Sequence, residues 1–246
     1  MSQHLTTVGI IPARYASSRF EGKALVDILG KPMIQHVYER ACQSKLLDRV
    51  VVATDDQRIS DVVSGFGGEA ILTGPAKTGT DRVAKVAESL SDDIVANIQG
   101  DEPLLDPKAV DQLLQPFLDD STTQVTTLMQ RIENPDDYYD PNVVKVVVTQ
   151  SGQAMYFSRS CLPGNLGQEW STSAPNFRHV GLYAFKRSCL MDFTHWKRTP
   201  YEISEGLEQL RFLENGVSIR VLETKSRSIG IDTPDDLKRL MQFLKA

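Results

Sequence analysis

Val8-Gly9-Ile10-Ile11-Pro12-Ala13-Arg14-Tyr15-Ala16-Ser17-Ser18-Arg19-Phe20-Glu21-Gly22-Lys23 is the stretch whose reading decides the fold. Its apolar start, residues 8–11, reads as a buried strand, and the polar segment after it as a long loop. Outward from there the same alternation recurs. Pro32 opens a helix carrying Met33, Val37 and Ala41 on one face. Arg49–Thr54 is a Val-rich strand that ends in Asp55-Asp56, and Ile59, Val62, Val63 and Phe66 stripe a helix stopped by Gly67-Gly68. A short strand at Ala70–Leu72, a helix marked by Val83, Val86, Ala87 and Leu90, a strand at 94–98 and a helix starting at Pro107 continue the series. The order β-α-β-α-β-α-β-α predicts parallel strands covered on both faces.

The second half changes character. Strand-like runs at 143–149, Ala154–Ser158 and 179–185 lie close together, and Ser151-Gly152 between the first two predicts a hairpin. Residues 163–175, rich in Gly, Ser and Asn, predict a loop. Helices are expected at 205–214 and 234–244, around a strand at 218–222. The expected fold class is α/β, a mixed and mainly parallel sheet flanked by helices with an antiparallel extension. No repeat or linker divides the chain, so a single domain over 1–246 is expected, with its antiparallel, substrate-side layer at about 143–225.

Composition bounds the function. The 246 residues hold 27 Lys+Arg against 32 Asp+Glu, a formal charge of −5, which argues against a nucleic-acid binder needing a basic surplus. Cys42, Cys161 and Cys189 form neither a C-x-x-C pair nor a disulfide framework. No apolar run reaches the roughly 18 residues of a membrane span, and Met-Ser-Gln-His lacks the basic and apolar regions of a signal peptide. A cytoplasmic enzyme or binding protein is the expectation.

Three places carry chemistry. The loop after the first strand holds Arg14, Arg19 and Lys23 against Glu21, a local surplus of cations at the end of a parallel strand where ligands of open α/β sheets bind. It is neither G-x-x-x-x-G-K-[ST] nor G-x-G-x-x-G, and charge alone leaves phosphate binding and a solvated loop equally open. Gln99-Gly100-Asp101-Glu102-Pro103 follows a buried strand, a place where an acidic side chain suits Mg²⁺ on a nucleotide's phosphates better than it suits stability. In Gly230-Ile231-Asp232-Thr233-Pro234-Asp235-Asp236, Thr233 as N-cap and Pro234 as the first helical residue account for all but Asp232. Asp232 lies 131 positions beyond Asp101 (232 − 101), so any pairing of the two must come from the fold. Smaller signals are Thr80 as a helix cap or anion contact, Arg159, a lone His179, and Glu208-Gln209 on a polar helix face. Trp170 and Trp196 stand open between core caps and a sugar platform.

Taken in order, these residues resemble a known family. Residues 11–19 with Gly22-Lys23, Gly30-Lys31-Pro32-Met33-Ile34, Val52-Ala53-Thr54-Asp55, Gly79-Thr80-Asp81-Arg82 and Gln99-Gly100-Asp101-Glu102-Pro103 are similar to the 3-deoxy-manno-octulosonate (Kdo) cytidylyltransferases, also called CMP-Kdo synthetases. The match resumes in Tyr156-Phe157-Ser158-Arg159, Arg178-His179-Val180-Gly181-Leu182-Tyr183, Leu207-Glu208-Gln209-Leu210-Arg211 and Asp232-Thr233-Pro234-Asp235-Asp236. The resemblance implies a nucleotide-diphospho-sugar-transferase-like, Rossmann-like domain, a homodimer, and transfer of CMP from CTP to an eight-carbon acidic sugar for lipopolysaccharide biosynthesis. It implies CTP contacts by Ala13, Arg14, Arg19, Lys23, Thr80, Gln99 and Asp101, and Mg²⁺ held by Asp101 and Asp232. Arg14, Arg19, Lys23, Asp101 and Asp232 would carry the catalysis, and Arg159, His179, Tyr183, Glu208 and Gln209 would line the sugar site. The family's Arg-x-Pro-Gly-Lys-Pro-Leu pattern is broken here by Glu21 and Ala24 at the two proline positions, and residues 162–175 also depart from it. Competing readings are transfer to another acidic sugar such as the 8-amino analogue of Kdo, a glycosyltransferase using a finished nucleotide-sugar, and a non-catalytic nucleotide-binding regulator.

Overall fold

A computed structural model describes residues 5–16, 20–164, 170–226 and 229–245. The chain forms two compact units, one of residues 1–115 with 226–246 and the other of residues 116–225. Strand β1 (Thr7–Ala13) begins the first unit and is followed, after the loop and a 3₁₀ turn at Lys23–Leu25, by the short strands β2 (Asp27–Ile28) and β3 (Lys31–Pro32). Then come α1 (Met33–Ala41), β4 (Arg49–Thr54), α2 (Gln57–Gly65), β5 (Ala70–Leu72), α3 (Gly79–Ser89), β6 (Ile94–Asn97) and α4 (Pro107–Asp119). Strand β1 pairs in parallel with β4 on one side and β6 on the other, and β4 pairs with β5. Parallel strands covered on both faces have little use for polar side chains. Val8, Ile10 and Ile11 of β1 and Val51, Val52 and Ala53 of β4 are accordingly buried on consecutive positions.

The second unit contains β7 (Val125–Arg131), α5 (Pro135–Tyr139), β8 (Lys145–Val148), β9 (Ala154–Ser158), β10 (Phe177–Lys186), α6 (Arg187–His195), α7 (Pro200–Glu205), α8 (Leu210–Glu214) and β11 (Ile219–Glu223). Strand β10 runs antiparallel to β7 and β8, β8 antiparallel to β9, and β11 parallel to β7. The hairpin between β8 and β9 turns at Gly152, whose φ of +79° suits glycine. Its aromatic core stacks Phe193 on Phe212 at 4.5 Å between ring centres, with Phe185 beside them. Helix α9 (Pro234–Lys245) returns the chain to the first unit. No helix among the described residues is long and apolar enough to cross a membrane.

Several expectations need correction. Pro32 is the N-cap of α1 rather than its first residue, because it belongs to a tight hairpin with Leu29 and Gly30 at positive φ, and Met33 N–H is engaged by the Val26 carbonyl. The helix expected at 205–214 is confined to α8 at Leu210–Glu214, since Gly206 at φ +64° ends α7 at Glu205 in the left-handed region. Strand β7 and helix α6 were not foreseen. Every residue of β7 but the last is buried, so its sequence shows no alternation to read.

Candidate active site

The basic loop leaves β1 at Ala13 and is closed by the Gly22 N–H donating to the Tyr15 carbonyl at 2.9 Å. Gly22 has φ +67°, and a Cβ there would meet the Tyr15 ring at 3.2 Å, so only glycine turns the chain there without strain. The Arg58 guanidinium, held by Asp56, lies 3.3 Å from the centre of the Tyr15 ring. Immediately after the turn comes Lys23.

The second segment enters from β6. Gly100 is pressed against β1: a Cβ there would come within 2.8 Å of the Pro12 carbonyl oxygen. That contact brings Asp101 beside the basic loop. The third segment is tied to the second by Ile231 N–H, which donates to the Asp101 carbonyl at 2.9 Å. Ile231 itself is buried with Ile28, Met33 and Leu240 of α9, so apolar packing closes the long sequence separation between Asp101 and Asp232. Thr233 caps α9 as expected: its hydroxyl accepts from Asp236 N–H at 3.2 Å while the Asp236 carboxylate accepts from Thr233 N–H at 2.9 Å.

These three segments meet at one atom. The Lys23 ammonium donates to Asp101 Oδ2 at 2.7 Å, to Asp232 Oδ1 at 3.0 Å and to the Ile231 carbonyl at 3.2 Å. They line a cleft of about 290 Å³ together with Ala13, Arg14, Thr78, Gly79 and Gln99. Arg14 is exposed and unpaired among the described residues. Arg19 lies outside the described residues. Two carboxylates and a carbonyl converging where a cation already sits form an all-oxygen donor set, which fits a hard dication that completes its shell with phosphate and water.

Thr80 is neither the cap of α3 nor part of the cleft wall. The Thr78 side chain accepts from Asp81 N–H at 3.1 Å, and Thr78 and Gly79 reach the cleft. Two further cleft residues escaped the sequence reading. Lys77 is an exposed cation directly before the helix, a signal available from its position. Arg82 is 5% exposed and its guanidinium binds Asp55 Oδ2 at 2.6 Å, so two motifs that looked separate, one ending β4 and one opening α3, are halves of one ion pair.

In the second unit, the five residues implied for sugar binding divide by environment. The Arg159 guanidinium donates to the carbonyls of Glu205 (2.9 Å) and Pro141 (3.1 Å), and its own N–H reaches the Glu205 carboxylate at 2.9 Å. His179 and Tyr183 flank an irregularity in the β10–β7 register, their rings 5.2 Å apart. His179 Nε2 lies 2.9 Å from the Thr127 hydroxyl, which also reaches the Val180 and Leu182 carbonyls at 3.2 and 2.8 Å. Burial lowers the His179 pKa to about 3, leaving the ring neutral. Burial, with the Glu208 charge, raises Tyr183, against a smaller lowering from the nearby Thr127 hydroxyl. Glu208 and Gln209 stand in the break between α7 and α8 rather than on a helix face, with Gln209 buried. Arg211 is structural: it grips Glu202 through two hydrogen bonds, at 2.7 and 2.5 Å, and lies 4.1 Å over Phe193. Trp196 packs edge-on against Phe193 and Phe212, a core cap.

Residues 8–219 match the family model described as Cytidylyltransferase. A 3-deoxy-manno-octulosonate cytidylyltransferase of Geotalea uraniireducens is 50% identical over 96% of this chain and 98% of its own. Another of that name, from Geobacter sulfurreducens, is 48% identical over 98% of this chain and all of its own. A solved structure of CMP:2-keto-3-deoxy-manno-octonic acid synthetase complexed with CTP is 42% identical, covers 98% of both chains and superposes with a TM-score of 0.93. A 4-diphosphocytidyl-2C-methyl-D-erythritol synthase from Anaerococcus prevotii shares the fold at 12% identity and a TM-score of 0.66.

Proposed function

The chain belongs to the cytidylyltransferases, and among them to the 3-deoxy-manno-octulosonate cytidylyltransferases; from that membership we propose how its residues work. The enzyme uses CTP to activate Kdo, giving CMP-Kdo and pyrophosphate. The sugar's anomeric hydroxyl attacks the α-phosphorus, its proton passes to solvent or product phosphate, and the bond to the β-phosphate oxygen breaks. The observation that carries the assignment of roles is the meeting of Lys23, Asp101 and Asp232 in a cleft that also presents Arg14 and Gln99.

Arg14, Arg19 and Lys23 bind the triphosphate and absorb charge as pyrophosphate forms. Ala13, the start of α3 and Gln99 place the nucleoside, in a cleft where Gly100 permits close backbone approach. Asp101 and Asp232 would hold Mg²⁺, which would screen the phosphates and polarise the reacting phosphorus. In the second unit, Arg159, His179, Tyr183, Glu208 and Gln209 hold the sugar. Burial keeps His179 neutral, so its ring is held in place by the Thr127 contact rather than shuttling protons. The whole chain acts as one cytidylyltransferase domain, as a cytoplasmic homodimer serving lipopolysaccharide biosynthesis.

A pyrophosphate-release assay over the four common nucleoside triphosphates and a panel of acidic sugars, with and without Mg²⁺, tests this. Release is expected only with CTP, Kdo and Mg²⁺ together. Preference for the 8-amino analogue would move the substrate assignment within the family. Release of a nucleoside mono- or diphosphate from a nucleotide-sugar would replace the reaction with glycosyl transfer.

A further inference from the structure

The roles assigned to the cleft collide at the Lys23 ammonium. It has three hydrogens, and Asp101 Oδ2, Asp232 Oδ1 and the Ile231 carbonyl take them at 2.7, 3.0 and 3.2 Å. In this arrangement no donor remains for a phosphate, and one oxygen of each carboxylate is already engaged by the ammonium. A dication placed between the same carboxylates would meet an ammonium at close range, a strong repulsion in a partly buried cleft. Lys23 and the acidic pair cannot both perform their parts until the ammonium leaves.

We infer that Lys23 is a resident counter-ion: it holds Asp101 and Asp232 together in the free protein and yields to the dication when a triphosphate draws it off. The inference deepens the proposed function and rests on its assignment of the acidic pair to the metal. The side chain suits the exchange. It is 18% exposed at the cleft wall, on a flexible four-carbon stem that follows the Gly22 turn. A dication arriving alone must expel the ammonium without offering it new anionic oxygens. A triphosphate arriving alone must strip the cation from two carboxylates and leave them facing each other. Arriving together, each ligand repairs the charge the other exposes. Metal and nucleotide are therefore positively coupled through one side chain, and the coupling is reciprocal.

The test is Mn²⁺ binding to the full chain without nucleotide, read from the paramagnetic resonance signal of the free ion. Lys23→Met is expected to bind Mn²⁺ about tenfold to a hundredfold more tightly than wild type. Adding Asp101→Asn is expected to remove that gain. Mn²⁺ should also raise the melting temperature of Lys23→Met more than that of wild type. Lys23→Gln serves the same comparison if circular dichroism finds Lys23→Met unfolded. Equal or weaker Mn²⁺ affinity in the folded variant overturns the inference. Pyrophosphate release by wild type judges the catalytic reading separately: an active wild type without the Mn²⁺ gain rejects only the counter-ion role, and an inactive one with the gain rejects only the reaction.

Discussion

Lys23 with its two carboxylates and Arg211 with Glu202 are the same kind of interaction in opposite settings. The Lys23 cluster lies in an open cleft, with Asp101 and Asp232 side chains 28% and 45% exposed. Glu202 and Arg211 are 2% and 9% exposed, with Thr199 N–H also bound to the carboxylate and Phe193 under the guanidinium. Burial would raise the Glu202 carboxyl, yet hydrogen bonds from Arg211 hold its pKa below the ordinary value. A buried pair has no exchange partner, so it fixes structure. An open pair can trade its cation for a ligand. Exposure and access to incoming anions, rather than ion-pair distance, separate the functional cluster from the structural one.

The sharpest way to break this contrast is Asp101→Ala. Turnover is expected to fall at least about a thousandfold, roughly 4 kcal/mol in the barrier, while the circular dichroism spectrum and melting temperature stay near wild type. Activity close to wild type would return Asp101 to the role of a turn residue. Arg211→Met is expected to do the reverse. It leaves the Glu202 charge buried without its main partner, costing about 3–5 kcal/mol in urea unfolding. Residual folded protein should keep most of its activity. A loss below about 1 kcal/mol would mean that Arg198 and Thr199 suffice.

His179 sharpens the comparison from a third side, as a buried group kept neutral. Its folded pKa of about 3 lies below the ordinary 6.5, so the unfolded chain takes up the proton first as pH falls. Stability contributed by the neutral ring is full above pH 6.5 and declines below it, by about 3 kcal/mol at pH 4. His179→Gln is expected to flatten that part of the curve, measured as urea unfolding from pH 8 to 4. Equal slopes in both proteins would show that His179 ionises normally. Glu202 loses stability in the same direction, but around its unfolded pKa near the lower end of the range, and is present in both proteins.

How much of this was legible depends on what each signal needed. The parallel strands of the first unit announce themselves as short apolar runs alternating with helix stripes, and Arg49–Thr54 and Ala70–Leu72 have the expected bounds, as does the antiparallel Ala154–Ser158 of the second unit. Local physics sufficed there. Strand β7 was silent because Thr126 and Thr127 are fully buried in it, with no period to betray them. The Gly206 break was a glycine that in sequence looks like many others, and only its left-handed backbone makes it a stop. The acidic residues of the site were visible as residues poorly explained by turns and caps. Their meeting was not, since it depends on Ile231 packing beside Met33 and Leu240. Arg82 with Asp55 is the same lesson: a long-range pair leaves two separate marks in the sequence and no mark of their joining.

The smallest expected effect concerns Glu21, the acidic residue at one of the family's proline positions. By local charge it opposes the basic loop, and by sequence it stands two positions from Lys23. The structure leaves Glu21 exposed, and its charge is among those that raise the pKa of Arg58. An exposed charge beside another exposed charge is screened by water and salt, and such contributions lie within about 1 kcal/mol. Glu21→Gln is therefore expected to change the KM for CTP by no more than about twofold at physiological ionic strength, with a somewhat larger gain at low salt. The cleft's electrostatics then belong to the groups that meet at Lys23. A tenfold or greater drop in KM, persisting at high salt, would place Glu21 against the bound triphosphate and make it a fourth member of the cluster.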